Sequence, residues 1–221
     1  MILLLLLLFM SFLHFLLIAI YSHIYDKSKK YDITEYKKIV EYTEKNAISY
    51  EISVDGSNYY NLINKKIYLA EEPKNVKYKD AYILAHEIGH YLDYRDKNLS
   101  RIRIYQANNI LGKSILFILF FSNIFYTFVQ SIFLFYIIII LYMIGSVLVM
   151  LNISKKFSIE YRAWKIGKEV IHKCKIEDDL LKYYNRISAI NNVMQCIPWI
   201  IFFLIVSFSV FYFVVYINIY K

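Results

Sequence analysis

The chain has 221 residues, 58% of them hydrophobic, with a mean hydropathy of +0.39 and a net charge of +8. That apolar content excludes an ordinary soluble domain. The charges are mixed in sign and no nucleic-acid motif accompanies them, so nucleic acid is not an expected partner; the basic balance reads as that of membrane-protein loops.

Residues 2–20, ILLLLLLFMSFLHFLLIAI, carry no charge. At about 1.5 Å per residue the run crosses a hydrocarbon core of roughly 30 Å. No Lys or Arg precedes it, and Ala19 is the one small residue near its end, so 1–20 is expected to be a retained anchor rather than a cleaved signal peptide. His14 lies within this span. An ionisable group there is a functional hint, but a single neutral imidazole is tolerable and is the reading taken.

Residues 21–110 form the first water-facing segment. DITEYKKIVEYTEKN, 32–46, places Ile33, Tyr36, Ile39, Val40 and Thr43 at helical spacing. ISYEISV, 48–54, predicts a strand, and Asp55-Gly56 a turn. INKKIYLA, 63–70, predicts a second strand. From 76 to 94 the pattern is helical again, with Val76, Ala81, Leu84, Ile88 and Leu92 on the apolar face. The expected order is helix, strand, strand, helix.

Residues 111–151 contain a single charge, Lys113, which can reach the interface. The run is too long for one span, and a break near Gln130-Ser131 predicts a hairpin of spans at 111–129 and 132–151; Ser122-Asn123 is another possible break. Residues 152–196 form a second basic, helical segment. A last span covers about 197–217, with Pro198 and Trp199 at its entrance, where Trp is favoured. Lys and Arg number 16 over residues 21–113 and 9 over 152–196. A hairpin returns the chain to its starting side, so both basic segments share one side. The positive-inside rule makes that side cytoplasmic, with both chain ends outside. Cys174 and Cys196 form no metal-ligand or CxxC spacing and are expected to be free thiols.

The stretch AHEIGHYLDY, 85–94, carries the chemistry. His86 and His90 stand four apart, one helical turn, so both rings can aim at one ion. Zinc takes histidine and carboxylate ligands and keeps a position for water in catalytic sites. Glu87, beside that face, can take a proton from the water and later return it to a leaving amine. Gly89, with no side chain, lets another element approach closely. At this chain's composition HExxH arises by chance in about one chain in two hundred. A third ligand is needed. Asp93 and Asp96 are awkwardly placed on or beside the same helix. Glu160 in SIEYRAWKIGKEVI, 158–171, is a better candidate, with Ala163 three residues on allowing close packing against the first helix. Other downstream acids, Glu169 among them, stay open.

HEIGH with a downstream E-x-x-A resembles the gluzincin zinc metallopeptidases, most of all the small membrane-embedded bacterial peptidases of the YugP type. Those also begin with an anchor, reach A-H-E-x-G-H, and carry the third ligand after a membrane hairpin. The matching parts are Asn64 to Tyr94, Glu160 to Ala163 and the order of spans. The chain departs where YLDY follows HEIGH and where EYRA lacks an acid before the alanine. The resemblance implies Zn2+ held by His86, His90 and Glu160, with Glu87 catalytic. It also implies a substrate-pairing edge strand before the active-site helix, here Lys66-Ile67-Tyr68-Leu69, against which stands the reading of an ordinary buried strand. Among 23 tyrosines nothing singles out Tyr161 to steady an oxyanion, Arg162 is a weaker alternative, and His172 reads as a surface residue.

The fold expected is therefore an α-helical multi-pass membrane protein of about four spans with a small α+β zincin-like metallopeptidase domain. The activity expected is that of a membrane zinc endopeptidase, a hydrolase in which Glu87 activates a zinc-bound water. Its partners would be the lipid bilayer and a peptide or protein substrate, membrane proteins included; nothing in the sequence indicates an oligomeric state. The alternatives are a membrane peptidase of the HtpX or CAAX-protease type and a non-catalytic metal-binding membrane protein. A soluble regulator peptidase of the ImmA/IrrE type shares the HEIGH style but not the spans.

Overall fold

The computed structural model describes residues 2–30, 32–61, 63–72, 76–95, 99–129 and 131–211. Its elements are α1 (Ile2–Asp26), α2 (Ile33–Lys45), β1 (Tyr50–Ile52), β2 (Tyr59–Asn61), β3 (Lys66–Leu69), α3 (Tyr78–Tyr94), α4 (Leu99–Val129), α5 (Ile132–Lys173) and α6 (Asp178–Ser209). Helices dominate, and one small sheet accompanies them. The chain divides into two units. The first comprises Met1–Leu16, Ser100–Lys156 and Met194–Lys221, the second Leu17–Leu99 and Phe157–Val193.

Among the described residues three helices contain a stretch long and apolar enough to cross a membrane: Phe9–Asp26, Phe133–Lys173 and Asp178–Phe208. The sequence reading has four spans. The fourth, expected at 111–129, lies within α4, whose apolar stretch among the described residues, Ile110–Tyr126, is shorter than these three. Its N-terminal extension is polar, because α4 begins in the Arg- and Asn-bearing stretch from Leu99 rather than at residue 111. Helix α4 ends at Val129 and α5 begins at Ile132, on either side of the expected break, and α4 runs unbroken through Ser122-Asn123. Gln130 lies outside the described residues, as does the end of the last expected span beyond residue 211.

The first unit has its own core of Leu119, Tyr126, Ile138, Val149, Val206 and Val210. The Tyr142 and Ser207 hydroxyls lie 3.0 Å apart, and Asn152 Nδ2 donates to the Asn108 carbonyl at 3.2 Å. Phe117, Phe121, Phe125, Phe128 and Phe133 are exposed, an apolar exterior suited to lipid rather than water.

The expected boundary at 151/152 falls inside α5. Lys155 and Lys156 end the apolar run, but no Gly or Pro stands there to stop a helix, and α5 continues to Lys173. The boundary at 196/197 likewise falls inside α6, which contains Pro198. That at 20/21 falls inside α1.

In the second unit, Asp32 caps α2, its Oδ1 accepting from Thr34 N at 2.8 Å. Tyr36, Ile39 and Thr43 are the buried face of α2, while Ile33 is exposed. The Asp55-Gly56 turn is present, with Gly56 at φ +68°, and Asp55 Oδ1 accepts from Ser57 N at 3.1 Å. The sheet has order β1-β3-β2, with β1 parallel and β2 antiparallel to β3. Strand β2 is an addition to the sequence reading. It also settles the place of Lys66–Leu69: that strand is paired on both sides, with Ile67 and Leu69 buried, and is not an edge. Helix α3 packs on β3, β2 and α2. Val76, Ala81, Leu84 and Ile88 are buried as the periodicity predicts.

Candidate metal centre

Helix α3 carries His86, Glu87 and His90; the part of α5 within the same unit carries Glu160. What brings the helices together is a pair of glycines. A Cβ on Gly89 would lie 2.0 Å from the carbonyl oxygen of Ala163. A Cβ on Gly167 would lie 2.2 Å from the Tyr184 hydroxyl and 2.5 Å from the Ala85 carbonyl oxygen. Residues 160, 163 and 167 recur at the i, i+3, i+7 spacing of one helix face, and Ala163 is fully buried. The helices therefore meet backbone to backbone, and Glu160 falls on the contacting face.

The result is a convergence of three donors. His86 Nε2 is 3.2 Å and His90 Nε2 3.6 Å from the same Glu160 oxygen, Oε2. One ligand atom from each of the three residues lies within 4.8 Å of the others, and the group can hold a metal ion. Ligands about 2.1 Å from a tetrahedral ion are separated by about 3.4 Å, which is the scale of these two distances. All three side chains are nearly closed to solvent, at 9%, 12% and 14% exposure. Burial raises the Glu160 carboxyl, but hydrogen bonds from His86 and His90 and their charge outweigh it and hold it well below the usual carboxylate range. The site thus keeps an ionised carboxylate facing two imidazoles, a donor set of the kind zinc accepts.

Glu87 is 6% exposed. Desolvation pushes its carboxyl up to about 7, helped by the Glu160 charge and opposed by His86 and by a hydrogen bond from the Tyr60 backbone N–H. Its Oε2 is buried without a hydrogen-bond partner among the described residues. A buried carboxylate oxygen left open in this way fits a group that must receive a water or substrate proton.

Two aromatic rings hold the imidazoles. Tyr82 stacks on His86, with centroids 5.8 Å apart and planes at 11°; Tyr60 stacks on His90 at 6.5 Å and 5°. Tyr60 comes from β2, so the unexpected strand supports both a ligand ring and Glu87. We expect Tyr82→Leu to weaken metal binding, by less than the about 10- to 100-fold that loss of a ligand's hydrogen-bonded partner costs, while Tyr82→Phe keeps the ring and stays near wild type. Metal titration against a competing chelator measures both.

The remaining expectations sort clearly. Glu169 and His172 are exposed on other faces of α5 and do not join the cluster. Asp93 is not a ligand in the cluster. Its Oδ2 accepts from Arg162 Nε at 3.1 Å, and Arg162 also donates to Ser158 Oγ at 2.9 Å, tying α3 to α5. Arg162 is therefore engaged in the helix crossing. Tyr161 is 46% exposed and stacks on Phe157. Asp96 lies outside the described residues. Among the described residues Cys174 and Cys196 are not joined in a disulfide. Comparison with protein-family models, curated proteins and solved structures finds no match to this chain.

Proposed function

We propose that the chain is a membrane-bound zinc endopeptidase of zincin-like architecture, related in plan to the YugP-type peptidases. The observation that carries this reading is the meeting of His86, His90 and Glu160 beside a buried Glu87 with an unpartnered carboxylate oxygen. Two imidazoles and one carboxylate are ligands zinc accepts, and they leave room for a further, exchangeable one. When bound, zinc would supply Lewis-acid polarisation of a carbonyl and acidification of water.

The protein's own groups supply the rest. Glu87, with its pKa pushed up to about 7, can both accept and donate a proton near neutral pH. It takes a proton from the attacking water on Oε2 and returns it to the leaving amine. The rings of Tyr82 and Tyr60 keep His86 and His90 in place without adding charge. An extended peptide would pair with β2, at the end of the sheet order, whose Tyr60 packs on His90, through main-chain groups other than the Tyr60 N–H that Glu87 holds. This moves the substrate strand from β3 to β2. The membrane-spanning helices tether the site, favouring membrane proteins and their water-exposed tails as substrates. The basic loops favour the cytoplasmic side.

Glu87→Gln tests the reading. The variant should keep its zinc and lose about 10²- to 10⁴-fold in peptide cleavage, measured on a quenched-fluorescence peptide library with detergent-purified protein. A wild type that binds zinc yet cleaves no better than Glu87→Gln would instead mark a structural metal site.

A further inference from the structure

The first unit contains a second feature, separate from the metal centre. Lys113, Ser114, Phe117 and Ile118 of α4 and Pro198 and Trp199 of α6 line an open cavity of about 640 Å³. Lys113 is the one charge in residues 111–151. Its ammonium lies 5.2 Å from the centre of the Trp199 ring. That contact uses one side of the group, whereas an ammonium has three N–H donors. Among the described residues Lys113 makes no ion pair and no hydrogen bond. A cation on an apolar exterior without an acceptor calls for an anion.

The layout specifies which anion. Lys113 and Ser114 form a polar end; Phe117 and Ile118, one helical turn on, form an apolar end. The indole of Trp199 belongs at the boundary between headgroup and chain. A soluble anion would use only the polar end. We propose that this groove is a phospholipid site that takes the headgroup phosphate of an anionic phospholipid on Lys113 and Ser114. The upper part of an acyl chain lies along Phe117, Ile118 and the Trp199 ring. The bound lipid supplies the countercharge that no described residue provides.

The chain's two tryptophans make the site readable. In a Trp164→Phe background Trp199 is the sole indole. The full chain is reconstituted in phosphatidylcholine vesicles doped at low mole fraction with phosphatidylglycerol or phosphatidylcholine brominated on its acyl chains. Brominated phosphatidylglycerol should quench Trp199 at about one-fifth the mole fraction that brominated phosphatidylcholine needs, the enrichment one lysine near a membrane surface supports. Lys113→Gln should abolish that preference and Lys113→Arg preserve it. Quenching by brominated phosphatidylcholine in each variant reports correct insertion. Equal quenching by the two lipids in the Trp164→Phe protein, or a preference that survives Lys113→Gln, overturns the site.

Discussion

Purified in mild detergent, the protein is expected to carry close to one zinc per chain, and His90→Ala or Glu160→Ala is expected to lose it. Removal of a supporting contact costs a metal site about 10- to 100-fold in affinity; removal of one of three ligands should exceed that. The two variants act from different helices, His90 from α3 and Glu160 from α5, so a shared loss reports a single ion held between them. Glu169→Ala is the matched control. It removes an acid from the same helix, on an exposed face outside the cluster, and should retain full zinc. Elemental mass spectrometry on all four proteins measures the outcome. Zinc retained in Glu160→Ala would assign the third ligand elsewhere, and no zinc in folded wild type would remove the peptidase reading altogether. His86→Ala should behave as His90→Ala does. It also removes the ring that stacks on Tyr82, leaving that tyrosine to Tyr183 and Tyr184, so it is the less clean of the two histidine tests.

Much of this site is legible in the residues because it is written in local spacing. The i, i+4 histidines have one geometric consequence on a helix, and Gly89 with Ala163 already marks a close helix contact. What remained open was non-local. Residue chemistry alone could not separate Glu160 from Glu169; the face of α5 does, since Glu160 shares the side of Ala163 and Gly167 that meets α3. Gly167 itself was silent in the sequence, because its partners Ala85 and Tyr184 lie far apart in the chain. Strand β2, at three residues, was too short for a periodicity to register. The order β1-β3-β2 follows from long-range pairing that no local window contains. With 23 tyrosines in the chain, nothing marked Tyr60 and Tyr82 as the rings beside the histidines. The span boundaries are not helix ends: hydropathy marks where lipid ends, while helices end only where backbone chemistry stops them, so α1, α5 and α6 run through theirs.

Gly89→Ala is expected to damage both stability and metal binding. In an ordinary helix interior the change would stabilise by about 0.5–1 kcal/mol, since glycine is the more flexible residue. Here the new methyl would sit 2.0 Å from the Ala163 carbonyl oxygen, 2.8 Å from its carbonyl carbon and 3.1 Å from its Cα. All three are backbone atoms, so no rotamer change relieves the clash. The two helices must move apart by about 1.4 Å to restore ordinary contact, and overpacking of this kind costs about 1–3 kcal/mol or more. The steric cost therefore outweighs the propensity gain. The same movement carries Glu160, one turn from Ala163, away from His86 and His90. Metal sites tolerate deviations of about 0.2 Å, so zinc should be lost before the fold is. Ala163→Gly should not rescue, because the obstructing atoms are backbone. Gly112→Ala is the contrast: its nearest neighbour is the Asn152 side-chain nitrogen at 3.0 Å, which can shift. Thermal unfolding and zinc content of Gly89→Ala, Gly89→Ala/Ala163→Gly and Gly112→Ala distinguish the cases, and a Gly89→Ala protein with wild-type values in both would show that α3 and α5 do not cross this closely.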